Sequence, residues 1–131
     1  MDASTVTDTL RRHLEETPIP LVCAYLFGSY ARGEQRAGSD VDVAVLFARS
    51  GLNTLTGPIS TLRGELERAV GRTVDVIDIR RAPVDLTHRI LRDGQLLAER
   101  DRNERVRFEV QARNEYFDLL PHLQRYRAGG S

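Results

Sequence analysis

Residues 26–33 read Leu-Phe-Gly-Ser-Tyr-Ala-Arg-Gly and residues 39–43 read Ser-Asp-Val-Asp-Val. In the first segment a Gly-Ser pair ends an apolar run. Ten residues then separate this pair from an Asp-Val-Asp that opens a second apolar run. Because side chains two apart in a β-strand point to the same face, we expect the carboxylates of Asp40 and Asp42 to lie side by side. These segments therefore predict a bend beside a cluster of negative charge.

The paired aspartates suit a divalent cation. Two neighbouring carboxylates repel each other unless positive charge lies between them, and Mg²⁺ takes hard oxygen ligands together with water and substrate phosphates. Gly28 allows the backbone to approach an anion closely after the strand predicted at Leu21–Phe27. We expect backbone N–H groups of the following turn and the Ser29 hydroxyl to bind phosphate oxygens. A phosphate site facing a metal site predicts phosphoryl or nucleotidyl transfer.

The spacing of these residues resembles the signature of a known superfamily. Gly28-Ser29, ten residues, Asp40, one residue and Asp42 is similar to the motif of the DNA polymerase β-type nucleotidyltransferases. The fuller strings Gly-Ser-Tyr-Ala-Arg-Gly and Ser-Asp-Val-Asp resemble its smallest members, the minimal nucleotidyltransferases (MNT), which are usually encoded beside HEPN-domain proteins as toxin–antitoxin pairs. The resemblance covers most of the chain, from about Leu21 to the end of the last helix.

Composition narrows the class of protein. The 131 residues suffice for one domain with its own core but not for separate substrate-binding domains. Nineteen acidic and nineteen basic residues cancel, so we expect no direct binding of nucleic acid. The single cysteine, Cys23, lies in an apolar run and fits a reducing compartment. No secretion signal and no membrane-length apolar stretch occurs, so we expect a soluble cytoplasmic protein with no membrane contact.

Apolar periodicity predicts a single α/β domain at residues 1–127 with a loose tail at 128–131. By resemblance it has the polymerase β-like fold, a small mixed sheet flanked by helices with a long C-terminal helix. The strand at 73–79 is rich in β-branched residues, which favours a central position in the sheet. The predicted elements are a helix at 4–16, strands at 21–27 and 40–47, a loop at 49–57, a helix at 58–70, a strand at 73–79, a helix at 83–92, a short strand at 95–98 and a helix at 103–120.

Asp75 is the candidate for a third acidic ligand. It stands between two valines, and a charge buried among apolar neighbours is costly unless it is paired or bound to a metal. A two-metal site needs a third carboxylate, and in the superfamily that residue also comes from a later strand. The alternative is a structural pairing of Asp75 with a buried arginine. Asp78 has the opposite parity, so we expect it to face away and to pair with Arg80 or Arg81.

Other polar residues allow less specific conclusions. Arg32 follows the predicted phosphate site by about one helical turn, so it either binds the triphosphate or forms a salt bridge with an acidic neighbour. His13 and His88 have no second ligand or nucleophile near them in the sequence. We expect His13 to be solvated and His88 to serve packing or to lie on the surface.

The C-terminal helix carries apolar residues on two sides. One stripe comprises Val106, Val110 and Phe117, and the other comprises Phe108, Ala112, Tyr116 and Leu119. One stripe either wraps against the domain or docks a partner protein, and we favour the partner. On that hypothesis Phe108→Glu weakens a complex without unfolding the domain. Pro121 is expected to end or kink the helix.

The resemblance implies the antitoxin of a HEPN–MNT pair, which forms a hetero-oligomer with its toxin. Such antitoxins transfer AMP from ATP to a tyrosine of the HEPN ribonuclease. The catalytic and metal residues are then Asp40, Asp42 and Asp75, which bind two Mg²⁺ ions. Gly28 and Ser29 hold the β- and γ-phosphates of ATP, and Arg32 is a further candidate for nucleotide binding.

Three alternatives stay open. One is a nucleotidyltransferase that acts on a small molecule such as an antibiotic, although a second substrate-binding domain is missing. Another is an antitoxin that acts by binding alone, although all three carboxylates are present. The third is an α/β domain whose aspartates serve only structure.

Overall fold

A computed structural model of the chain describes residues 1–36, 38–48 and 56–129. Most of the loop predicted at 49–57 lies outside the described residues, as do residues 130–131 of the predicted tail. The elements in chain order are α1 (Ala3–Glu16), β1 (Leu21–Phe27), the one-turn helix α2 (Ser29–Arg32), β2 (Val41–Phe47), α3 (Thr56–Val70), β3 (Val74–Asp78), a 3₁₀ turn (Ile79–Arg81), α4 (Val84–Asp93), β4 (Gln95–Glu99) and α5 (Arg102–Gly129). No helix within these ranges is long and apolar enough to span a bilayer.

The four strands form one mixed sheet in the order β3-β2-β1-β4. β1 pairs antiparallel with β2 and β4, whereas β2 and β3 run parallel. The predicted small mixed sheet with flanking helices and a long C-terminal helix is confirmed.

Among the strands that the structure describes, β3 pairs only with β2 and lies at an edge of the sheet, so its predicted central position is wrong. Its valines Val74 and Val76 are buried in the core, and this one-sided burial is enough to explain the β-branched composition. Asp78 ends the strand on the opposite face from Asp75, as predicted. Its buried carboxylate accepts a hydrogen bond from the backbone N–H of Arg80 at 3.0 Å.

Alternation along the strands divides the core into two layers. On one face of the sheet, α1 and α3 cover the odd-numbered valines of β2, and on the other face α4 and α5 cover its alanine and leucine. Asp42 has the parity of Ala44 and Leu46, so it belongs to the second face. It lies at the start of the strand, where the two layers of helices leave the end of the sheet open to solvent.

The apolar stripe of α5 that contains Phe108 packs against the domain, although the Phe108→Glu test assumes that this stripe is free. Ala112 is buried and Phe108 packs against the core cluster on the α4 and α5 face, whereas Val106, Val110 and Phe117 are 43%, 47% and 55% exposed. Phe108→Glu is therefore wrong as a surface test, because Phe108 is partly buried and packs against the core. The helix continues through Pro121 to Gly129, so Pro121 does not end it.

A buried polar network ties α5 to the sheet. The hydroxyl of Tyr25, in β1, donates to Glu109 of α5 at 2.7 Å. Arg105 bonds the same glutamate at 2.7 Å and reaches Glu99 of β4 at 2.5 Å. Because Tyr25 is only 4% exposed, removing its acceptor leaves a buried hydroxyl without this partner.

We expect Glu109→Ala to lower the free energy of unfolding by about 2 kcal/mol, the usual cost of an unsatisfied buried polar group. Urea denaturation measures this. The matched control is Glu115→Ala on the same helix, since Glu115 is exposed and, among the described residues, accepts only a hydrogen bond from the Gln111 side chain at 3.3 Å. That change should stay within about 0.5 kcal/mol. Equal effects of the two changes would contradict the structural role of the network.

Candidate active site

The bend after β1 requires glycine. Gly28 has φ +74° and ψ −153°, a combination essentially confined to glycine. A Cβ built on it would lie 2.2 Å from Oδ2 of Asp42, which is far inside van der Waals contact. The missing side chain therefore lets the backbone pass directly against this carboxylate, and Ser29 then starts α2.

The sheet register places Asp42 between the bend and the edge strand. Phe27 is its partner in β1, and Asp75 is its partner in β3. Partners in adjacent strands point to the same face, so the carboxylates of Asp42 and Asp75 are neighbours. Asp40 comes two residues earlier, just before β2 begins. The structure thus brings all three predicted acidic residues to one end of the sheet.

The pKa of Asp42 depends on its burial and on the charges around it. Partial burial raises the pKa of the Asp42 carboxyl, and the charges of Asp75 and then Asp40 raise it further. The guanidinium of Arg32 acts in the opposite direction and lowers the same pKa. Asp42 is half-buried, whereas Asp40 and Asp75 are exposed. The burial argument for choosing Asp75 was wrong, since the valines beside it face the other side of an edge strand.

The carboxylate oxygens of the three aspartates are the type of ligand that a hard divalent cation such as Mg²⁺ prefers. Within residues 1–36, 38–48 and 56–129, no three acidic, histidine or cysteine side chains lie close enough to surround one ion. Three carboxylates at neighbouring positions nevertheless supply hard oxygen ligands, and Mg²⁺ usually takes only one or two protein carboxylates. Burial and then the charges of Asp75 and Asp40 raise the pKa of Asp42, and a bound cation would offset these effects.

A cleft of about 450 Å³ opens on the α3 side of the aspartates, lined by Asp40, Asp42, Arg63, Glu67, Thr73, Val74 and Asp75. Glu67 accepts a hydrogen bond from the backbone N–H of Val74 at 3.0 Å, so α3 holds the start of β3 and thereby positions Asp75. Arg63 and Glu67 were not predicted to lie here. Their i, i+4 spacing puts them on one face of α3, but no motif links that face to the aspartates.

Arg32 takes part in a salt bridge. Its Nε lies 3.0 Å from Oε2 of Glu34, and both side chains are more than half exposed. The structural alternative for Arg32 is therefore observed. Its positive charge also partly opposes the rise in the pKa of Asp42 that burial and the neighbouring aspartates cause, and a role for Arg32 beside a bound phosphate stays a prediction.

His13 and His88 both contact neighbouring helices. Nε2 of His13 lies 3.1 Å from Oε2 of Glu65, so His13 bridges α1 to α3 and is not simply solvated. The ring of His88 stacks on Tyr116 with 3.6 Å between centroids and 3° between planes. This contact packs α4 against α5, as expected of a packing residue.

The metal-free protein should become more stable when the charge at Asp42 is removed. Because the folded-state pKa of Asp42 is raised, the folded protein binds more protons than the unfolded chain between the two pKa values. The free energy of unfolding therefore falls as pH rises through that window, and the loss is complete above the folded pKa. Asn cannot ionise, so Asp42→Asn should melt at a higher temperature than the parent at about pH 7 in EDTA. Calorimetry at several pH values should show this difference shrinking toward acidic pH, and a lower melting temperature for the variant at neutral pH would contradict the assignment.

Comparison with known families supports the chemistry suggested by this geometry. The family described as "Polymerase beta, Nucleotidyltransferase" matches residues 9–103, which include the bend and all three aspartates. The chain belongs to the polymerase β nucleotidyltransferase family. This polymerase β-type nucleotidyltransferase is 36% identical over 73 residues to the protein adenylyltransferase MntA of Shewanella oneidensis. The match covers 56% of this chain and spans half the length of that relative.

Two solved complexes contain chains that resemble this nucleotidyltransferase over nearly its whole length. One is a toxin–antitoxin structure with AMP-PNP, with a TM-score of 0.73 and 27% identity over 98% of both chains. The other is a tri-AMPylated Shewanella oneidensis HEPN toxin with its MNT antitoxin. Its similar chain has a TM-score of 0.66 and 25% identity, with 97% of this chain and 93% of that chain covered.

Proposed function

We propose that this protein is the antitoxin of a HEPN–MNT pair and that it transfers AMP from ATP to a tyrosine of the HEPN ribonuclease toxin. The observation that carries the proposal is the pairing of Asp42 with Asp75 beside a bend that only glycine can form. The similarity to MntA and to the two toxin–antitoxin complexes supports a HEPN toxin as the modified protein and partner.

The donor nucleotide is held by the bend and by the acidic end of the sheet. Backbone N–H groups after Gly28 and the hydroxyl of Ser29 bind the β- and γ-phosphates. Asp40, Asp42 and Asp75 would hold two Mg²⁺ ions, which neutralise phosphate charge and activate the attacking hydroxyl when bound. This arrangement orients the α-phosphorus toward the open end of the sheet.

The acceptor approaches from the edge strand. Because β3 lies at the edge of the sheet that the described strands form and Asp75 is exposed, a tyrosine on a folded partner can reach this position. The phenolic oxygen forms a bond to the α-phosphorus, and the bond from that phosphorus to the oxygen bridging to the β-phosphate breaks. Pyrophosphate leaves with the electron pair, and Asp75 takes the phenolic proton. The added phosphate places negative charge beside the ribonuclease site, where it repels RNA.

Intact-mass spectrometry tests the proposal. This protein is incubated with ATP, Mg²⁺ and the HEPN protein encoded beside it, and the HEPN protein is weighed. A gain of one or more AMP masses by the HEPN protein, together with loss of ribonuclease activity, is the expected result. Loss of ribonuclease activity without any mass change would contradict the proposal in favour of inhibition by binding. Modification of an added aminoglycoside with no change in the HEPN protein would favour a small-molecule acceptor.

A further inference from the structure

A second cleft, of about 230 Å³, lies between α2 and α4, and its lining consists of Phe27, Gly28, Ala31, Arg32, Leu86, Arg89, Ile90, Asp93 and Gly94. The register of the sheet fixes its place relative to the acids. Gln95 at the start of β4 pairs with Leu26, and on the other side of β1 Phe27 pairs with Asp42. The α2–α4 cleft and the edge strand that carries Asp75 therefore lie on opposite sides of the Gly28 bend.

The charges in the α2–α4 cleft leave one arginine without a partner. Asp93 already bonds Arg92 through two contacts of 2.9 and 2.8 Å, and this pairing lowers the pKa of Asp93. Arg32 is bridged to Glu34. Across the part of the chain that the structure describes, no hydrogen bond or ion pair engages the guanidinium of Arg89. The positive charge of Arg89 is thus available to a ligand.

Arg32 and Arg89 line the same cleft as Gly28, the residue at the bend. The backbone of Gly28 passes directly against the carboxylate of Asp42. An extended anion that begins at the aspartates and passes the bend can therefore reach both guanidinium groups.

We propose that the α2–α4 cleft receives the terminal phosphates of the nucleoside triphosphate and that Arg89 is their guanidinium ligand. The inference rests on the proposed function, since it takes a triphosphate as the donor. In-line displacement requires the acceptor and the leaving pyrophosphate on opposite sides of the α-phosphorus. The acceptor side is the open edge at Asp75, so the pyrophosphate departs toward α2 and α4. There Arg89 compensates the charge that builds on the leaving oxygen as the bond from the α-phosphorus breaks.

Nucleotide titration without any acceptor protein tests the role of Arg89. ATP, ADP and AMP are each titrated by calorimetry into the parent protein, Arg89→Ala and Arg89→Lys in the presence of Mg²⁺. Loss of a charge-assisted contact should weaken ATP binding by about tenfold to a hundredfold in Arg89→Ala. AMP binding should change by less than about twofold, because AMP lacks the terminal phosphates, and lysine should restore part of the ATP affinity.

The matched control is Arg81→Ala. Arg81 is also an exposed arginine, but it lies in the 3₁₀ turn after β3, at the far end of that strand from Asp75. Its replacement should leave ATP binding unchanged, and melting temperatures should confirm that both variants fold. Unchanged ATP affinity in Arg89→Ala, with binding by the parent intact, would overturn this inference while leaving the proposed function standing. Equal weakening of ATP and AMP would also overturn it, because the cleft would then hold the nucleoside. No binding of ATP by the parent would remove both the inference and the proposed function.

Discussion

Gly28→Ala is expected to reduce AMP transfer by about a hundredfold or more. The new Cβ would stand 2.2 Å from Oδ2 of Asp42, so either the carboxylate or the bend must move by more than 1 Å. Displacements of about 1 Å in a positioned reacting group cost on the order of a hundredfold in rate. The rate of AMP incorporation into the HEPN partner, measured under saturating ATP, reports the loss.

Gly33→Ala supplies the control for backbone strain. Gly33 also has a positive φ, +71°, but a Cβ at that position meets no atom of the described residues within 4 Å. Alanine there should cost about 1 kcal/mol of stability and leave transfer within about twofold of the parent. Both variants are assayed well below their melting temperatures, so that unfolding does not enter the comparison. If Gly28→Ala were as active as Gly33→Ala, the close approach of the bend to Asp42 would have no catalytic importance.

Asp42→Asn is expected to lower AMP transfer by about a thousandfold or more. The side chain keeps its size, but it loses the charge at the position flanked by the bend and by Asp75. Removing one preorganised charge or donor from a polar active site costs about a hundredfold to a thousandfold, and loss of a cation would add to this. The same variant should be at least as stable as the parent, so a fall in activity cannot be attributed to unfolding.

Asp101→Asn is the matched control for Asp42→Asn. Asp101 lies between β4 and α5, where its carboxylate accepts the backbone N–H of Glu104 at 3.1 Å, and asparagine can keep that bond. Transfer should be unchanged in this variant. Full neutralisation of the HEPN ribonuclease by Asp42→Asn, with no AMP added, would show that the protein inhibits by binding and that its acids are not needed.

The strand and bend around the acids could be predicted closely from local pattern. Strand β1 spans the predicted residues Leu21–Phe27, and Asp42 lies in β2 as predicted, although β2 begins at Val41 and leaves Asp40 just outside the strand. The sequence also predicts that the backbone at Gly28, which has no side chain, approaches an anion closely. It does not predict that the Gly28 backbone lies directly against the Asp42 carboxylate.

The local sequence pattern does not predict the order of the strands in the sheet. A strand rich in valine can be central or can lie at an edge with one face covered, and β3 is of the second kind. The same uncertainty affected α5, where two apolar stripes were visible and only packing showed that Phe108 faces inward. Which face of an element is buried depends on what packs against it, and those partners are distant in the sequence.

The amino-acid sequence by itself determined a Gly-Ser bend, a pair of aspartates two residues apart and the family to which they belong, because these features depend on residues close to one another in the chain. Only the tertiary structure placed Asp75 on an exposed edge beside Asp42, and only it brought Arg63, Glu67 and Arg89 to the two clefts. These residues come from separate helices and strands, so their meeting depends on the register of the sheet and on how the helices pack across it.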